Sequence, residues 1–258
     1  MALDHSRLLL LHARHAASAL GAPTDGAARA CRRYVRENLL QCIGDPTPFI
    51  RRVVGSCVTT IISTGGLETW PAVVPTLYQL LDSTDYNTLE GAFWTLEKIC
   101  EDSAQKLAAD VTNNPLTFLI PKFLQFFHHP NEEMRRMPQA GTLRLYGVLC
   151  LNHFVPLKPP ALVMHADAHL QGLFALATDP DERVKKAVCN ALVMMLEGSL
   201  ERLRPHMPQV VQYMLQTTMD ENEEVALEAC EFWSAMCETD MVNEALGGPV
   251  LAQVSPLS

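Results

Sequence analysis

The chain has 258 residues, 48% of them hydrophobic, and a formal net charge of −9. That is enough apolar material for a sizeable core, in one large domain or an extended array. The acidic balance argues against DNA or RNA as a main ligand, because phosphate binding needs a basic face, and it favours a basic protein partner. No apolar run approaches the ~20 residues of a membrane span, so no membrane association is expected. The eight cysteines form no CxxC pair. Cys57, Cys100, Cys189 and Cys230 fall inside apolar helical stripes, where a thiol acts as a small hydrophobe, so a reducing compartment without disulfides is expected.

Residues 1–30 are rich in Ala, Leu, Arg and His. A transit peptide is Ser-rich and poor in acids, whereas here Ser is scarce and Asp4 comes early. The segment reads as a divergent end cap or a poorly ordered start. From Arg32 to Thr64 a first helix (Tyr34, Leu39, Leu40, Ile43) is followed by GDPTP, then by a second helix with Ile50, Val53, Val54, Cys57, Val58, Ile61 and Ile62 on its buried face. Gly44 ends one helix, and Thr47 with Pro48 starts the next. From Trp70 to Asp102 a second pair repeats the plan: Val73, Val74, Leu77, Leu80 and Leu81, a cap at Asp85, then Leu89, Ala92, Phe93, Leu96, Ile99 and Cys100.

A third pair starts with Leu116–Phe127 and turns at His128, His129, Pro130 and Asn131. Its continuation is irregular, because Pro138 and Gly141 interrupt the place of a second helix. Prolines 156, 159 and 160 mark a loop. The fourth pair has Leu170, Leu173, Phe174 and Ala177, a capping box at Asp179 with Glu182, then Val184, Ala187, Val188, Ala191, Leu192 and Met195. The fifth has Leu203, Met207, Val210, Val211, Met214 and Leu215, a cap at Asp220 with Glu223, then Val225, Ala226, Ala229, Cys230, Trp233 and Met236. Beyond about Asp240 the pattern fades.

The turns recur about 40 to 50 residues apart with two helices per unit, which is the HEAT or armadillo signature. The expected fold is all-α, an α-solenoid of about five HEAT repeats over residues 31–240, irregular around 137–160, with an irregular tail at 241–258. Pro71, Pro75, Pro121, Pro205 and Pro208 fall early in first helices, where proline costs least.

The stretches YNTLEGAFWTLEKICEDSA (Tyr86–Ala104), LIPKFLQFF (Leu119–Phe127), LQGLFALATDPDERVKKAVCNALVMMLE (Leu170–Glu197) and LEACEFWSAMC (Leu227–Cys237) resemble the N-terminal part of the transportins, nuclear import receptors of the karyopherin-β family. The resemblance covers roughly Tyr34–Thr239. It implies a fragment-like piece, from about the third to the seventh of some twenty repeats. It also implies contact with the GTP-bound small GTPase Ran along the second helices, contact with nucleoporins, and shuttling between cytoplasm and nucleus. Cargo proteins with nuclear localisation signals bind mainly the family's C-terminal arch, so their main site is expected to be missing. Ends without the family's neighbouring repeats are expected to make the chain marginally stable or self-associating. The alternative is a generic HEAT interaction scaffold that binds neither Ran nor cargo.

Candidate contact residues follow from the residues themselves. Glu90, Trp94, Glu97 and Glu101 recur at helical spacing and form a stripe opposite the apolar face, with Asn87 at its start. An exposed Trp within acids fits an interface anchor. Glu224, Glu228 and Glu231 repeat the arrangement in the fifth unit. Arg183, Lys186, Asn190 and Glu197 read as a plain solvated face. Arg51, Arg52 and Arg183 follow turns, where a ladder to the Asp of a neighbouring turn is the expected role. His165 and His169 read as a solvated pair rather than a metal site, because no HExxH glutamate accompanies them. No phosphate loop and no nucleophile elbow occurs, so no enzyme activity and no cofactor are expected.

Overall fold

The computed structural model describes residues 26–128, 137 and 139–238. The predicted cap or start at 1–25, the predicted third turn beyond His128, Pro138 and the tail from 239 lie outside the described residues. Among the described residues the regular structure is helical, with no strand. The helices are α1 (Gly26–Gln41), α2 (Pro48–Gly65), α3 (Val73–Leu80), α4 (Tyr86–Ala109), α5 (Leu116–Gln125), α6 (Ala140–Asn152), α7 (Pro160–Met164), α8 (Ala166–Leu176), α9 (Glu182–Leu203), α10 (Met207–Thr217) and α11 (Glu223–Cys237). No helix among them is long and apolar enough to cross a membrane.

These helices form two compact units, divided at Pro115 and Leu116. The first holds the pairs α1/α2 and α3/α4. The second holds α5/α6, α8/α9 and α10/α11, with α7 leading into α8. In each unit the second helices also pack side by side: α2 on α4, and α6 on α9 on α11. Each pair therefore buries one face within itself and another against its neighbour, as a helical array requires.

The periodicity locates the cores. Leu89, Ala92, Phe93, Leu96, Ile99 and Cys100 are fully buried on α4, and Val184, Val188, Ala191 and Leu192 on α9. The face read on α2 is mixed: Val54, Val58 and Ile62 are buried, whereas Ile50, Val53, Cys57 and Ile61 are half-exposed. Cys230 is exposed on α11 rather than part of an apolar stripe, and all eight cysteines are free thiols. Trp233 is half-buried, edge-on to Phe232, and its indole N–H donates to Thr218 Oγ1 at 2.9 Å.

The helix starts differ from the reading in one consistent way. The caps are Asp85, Asp181 and Asn222, whose side chains accept backbone N–H groups of the first turn. Asp179 and Asp220 stand two residues earlier and accept the N–H of the cap residue, at 2.9 and 3.0 Å. Asp45 does the same for Thr47 at 2.8 Å, and Ser83 for Asp85 at 3.1 Å. One short polar side chain thus shapes each turn before the next caps the helix. The expected break at Gly141 is also absent, because α6 runs unbroken from Ala140. Gly141 is there for closeness, since a Cβ would lie 2.3 Å from Asp181 Oδ2. Helix α1 begins at Gly26, inside the segment read as divergent. Pro121 sits deep inside α5 rather than at its start.

The long second helices α4 and α9 each bend at a serine, Ser103 (φ −134, ψ 20) and Ser199 (φ −143, ψ 38). Both lie the same distance from their N-cap, so the repeat is legible even in its irregularities.

Two residues make the packing testable. A Cβ on Gly91 of α4 would lie 2.0 Å from the carbonyl oxygen of Ile43, a backbone atom that cannot step aside. Gly91→Ala is expected to destabilise by about 2 kcal/mol or more in urea unfolding, whereas Gly198→Ala, which meets only the flexible Lys158 side chain, is expected to be neutral or stabilising. His169 is 2% exposed, with Nε2 buried and unpartnered and the Phe127 ring 6.1 Å away, not solvated beside His165. Burial lowers its pKa from 6.5 to about 4. The folded state therefore prefers the neutral ring. This contribution is complete above pH 6.5 and is lost as pH falls towards 4, by roughly 3 kcal/mol in total. His169→Leu is expected to shrink the fall in unfolding free energy between pH 7 and 4.5, measured by denaturant titration at both values.

Candidate functional site

The stripe predicted on α4 divides in two. Glu90 and Glu97 are each only 5% exposed. Glu90 Oε2 accepts from Arg51 Nε of α2 at 2.7 Å, with both side chains buried. The same guanidinium donates to the carbonyls of Asp45 and Pro46, at 2.7 and 3.3 Å. Arg51 thus clamps its own turn and the next second helix together. Glu97 lies 3.4 Å from Lys98, which also pairs with the exposed Glu101. Trp94 is half-buried in the space that Gly55 leaves on α2, where a Cβ would sit 2.4 Å from the indole, and Arg52 lies 5.9 Å over its ring. Asn87 is half-buried. Of this set only Glu101 has an exposed carboxylate, paired along its own helix with Lys98, because α2 packs on the face that a single helix would leave to solvent.

The predicted ladder exists with other members. Arg144 on α6 forms a bidentate pair with Asp179, Nε to Oδ2 at 2.5 Å and Nη2 to Oδ1 at 2.9 Å. Lys185 on α9 pairs with Asp220. In both, a cation on one second helix reaches the turn of the next pair. Arg51 takes Glu90 instead, where Ser83 stands in the place that Asp179 and Asp220 hold in the later turns. Arg183 holds its own cap, Asp181, and Thr142 across the pair. The Arg183 side chain holds the Asp181 carboxyl below the usual range, and Lys185 does so for Asp220.

The second helices of the second unit carry a further constellation. Asn152 Nδ2 donates to Ala187 O at 3.1 Å and reaches Asn190 Oδ1 at 3.5 Å. Asn190 Nδ2 donates to Glu228 at 2.8 Å, Lys186 pairs with Glu224 at 3.1 Å, and Asn222 donates to Glu182. All of these but Asn152 edge a groove of about 540 Å³ across α6, α9 and α11, with Leu145, Leu149, Ala187 and Val225 along it. Glu224 and Glu228 belong to this groove, while Glu231 is exposed beyond it. Arg183, Lys186 and Asn190, read as a plain solvated face, line it, and Glu197 is exposed elsewhere on α9. The signal available in sequence was the interval: Asn152, Asn190 and Glu228 follow one another at 38 residues, as do Lys186 and Glu224.

Among the described residues no group of three or more His, Cys, Asp or Glu is placed to hold a metal ion. The arrangement presents carboxylates, amides and two cations on helices joined by ion pairs.

Stacked helix pairs joined through their second helices define an α-solenoid of the HEAT type. A crystal structure of importin beta shares this fold at a TM-score of 0.64, over 93% of this chain and 31% of that one, at 16% identity. Within that class the chain is similar to the transportins. It is 48% identical over 213 residues to Transportin-1 of Mus musculus, covering 83% of this chain and 23% of the relative. It is 40% identical over 225 residues to Importin subunit beta-2 of Schizosaccharomyces pombe, covering 87% and 24%. The chain therefore spans about a quarter of the length of the curated relatives it matches. No model of a protein family matches it.

The buried pair and the open carboxylate predict opposite responses to the same substitution. Glu90→Lys places a second cation against buried Arg51 and is expected to cost about 3–5 kcal/mol, or to prevent folding. Glu101→Lys, at a solvated pair, is expected to cost under about 1 kcal/mol. Urea unfolding of both variants checks this, and the double change Arg51→Met with Glu90→Leu is expected to recover most of the loss.

Proposed function

We propose that the chain works as part of a nuclear import receptor of the transportin type, binding the GTP form of Ran through its second-helix faces. The observation that carries this reading is the 48% identity to a transportin over 213 residues, running through both helical units. Identity of that degree supports shared partners as well as a shared fold. Nucleoporin contact and shuttling between cytoplasm and nucleus belong to the same proposal. Cargo binding is expected to be weak, because the main cargo site is assigned to repeats outside this stretch. The role is one of binding rather than catalysis.

The carboxylates available to a basic partner are those the fold does not use. Glu101 and Glu231 are exposed, and neither bridges two helices. Glu90 and Glu97 are withdrawn from that role by burial, and Trp94 by its seat against Gly55.

The test is retention of purified Ran, loaded with GTP or GDP, on the immobilised chain. Selective retention of the GTP form is expected, weakened in a Glu101→Lys, Glu231→Lys variant that keeps the wild-type helical circular dichroism. Equal or absent retention of both forms by a folded sample would favour the scaffold reading instead.

A further inference from the structure

Helix α1 carries Arg29, Arg32, Arg33 and Arg36 within two turns, in a chain whose net charge is −9. Spacings of three, four and seven put them on one face, and half-buried Leu40 continues that face by one more turn. Elsewhere Arg51, Arg144, Lys185 and Lys186 are each spent on a carboxylate. On α1 Arg33 meets Glu37 in an open pair at 3.7 Å, but among the described residues Arg29, Arg32 and Arg36 form no ion pair.

Uncharged groups hold Arg36 in place instead. Its Nη1 donates to the Thr69 carbonyl at 2.6 Å, and its guanidinium carbon lies 5.4 Å from the centre of the Trp70 ring. Burial, and after it the charge of Arg32, lower its pKa from the usual value. The two guanidiniums therefore repel one another with no carboxylate to offset it. One that is already fixed in position loses little further freedom on meeting an anion.

The spacing selects the shape of a ligand. The arginines recur about every 5 Å along the axis, and Arg29 and Arg36 stand about 10 Å apart. An acidic helix repeats its own face at that interval, carboxylate for arginine. An extended strand returns to one face about every 6.8 Å and falls out of step within the stripe. A long nucleic acid would run past the stripe onto a chain of net negative charge.

We infer that α1 docks an acidic helix laid along it, with carboxylates at i, i+3, i+4 and i+7 against the four arginines and an apolar residue at i+11 against Leu40. The surface lies on a first helix, apart from the second-helix faces of the Ran reading, so either can fail alone.

The probe is a fluorescein-labelled, end-capped, Ala-based helical peptide with Glu and Leu at those positions, followed by fluorescence anisotropy with the full chain. A second peptide has the same composition and helicity, with its Glu residues spread around the helix. Saturable binding of the first peptide is expected, weakened by salt, with a Kd about fivefold lower than that of the second. Arg29 and Arg32 make no hydrogen bond or ion pair within the fold, so Arg29→Gln and Arg32→Gln leave it intact. Each is expected to raise Kd about threefold, the loss of one solvated charge pair. Lys106→Gln, exposed on α4, is expected to leave Kd unchanged. Absence of saturable binding, equal Kd values for the two peptides, or a Kd unmoved by both arginine variants would overturn the assignment. So would tighter binding of a single-stranded oligothymidylate than of the one-face peptide.

Discussion

Within each of the two units, neighbouring helix pairs are held together by a cation on one second helix that grips an acidic group of the following pair. Arg144 with Asp179 and Lys185 with Asp220 do this between neighbouring turns, and Arg51 does it through Glu90. Apolar burial alone would let one amphipathic helix slide or rotate on another, because hydrophobic attraction has no direction. A buried or half-buried ion pair has a single good geometry, and breaking it leaves a charge without a partner. These contacts therefore set register, while the leucines, valines and phenylalanines beneath them supply most of the driving force.

The same demand decides which acidic residues are available to partners. A charge that aligns two helices cannot also meet a ligand. Glu90 is used inside, and Glu97 is buried beside it, so the acidic stripe of α4 keeps only its last member open. On α9 and α11 the outcome is reversed. There the first turns of both helices, joined by Lys186–Glu224 and Asn190–Glu228, edge a groove with amides and carboxylates.

Small residues carry the second constraint. Gly91 lets α4 approach the end of the first helix pair, Gly55 seats Trp94, and Gly141 admits the cap Asp181. Each allows a polar or aromatic group to enter a close helix contact, so the glycines and the charges belong to one packing solution.

The sequence by itself determined the helical class, the pairing of helices, the repeat interval and the buried faces of α4 and α9. These depend on local period and on turn residues, which a single segment displays. The transportin resemblance was legible in ordered stretches of sequence for the same reason. What only the tertiary structure decided was the far side of each helix. Whether Glu90, Trp94 or Asn190 faces water depends on a neighbour some 40 residues away, and helical spacing cannot report it. The caps moved from Asp179 and Asp220 to Asp181 and Asn222 because the earlier aspartates were needed across the pair boundary. His169, solvated on its own helix, is buried once Phe127 lies against it. One helix reveals which residues can be buried; the helices packed beside it decide which of the others are.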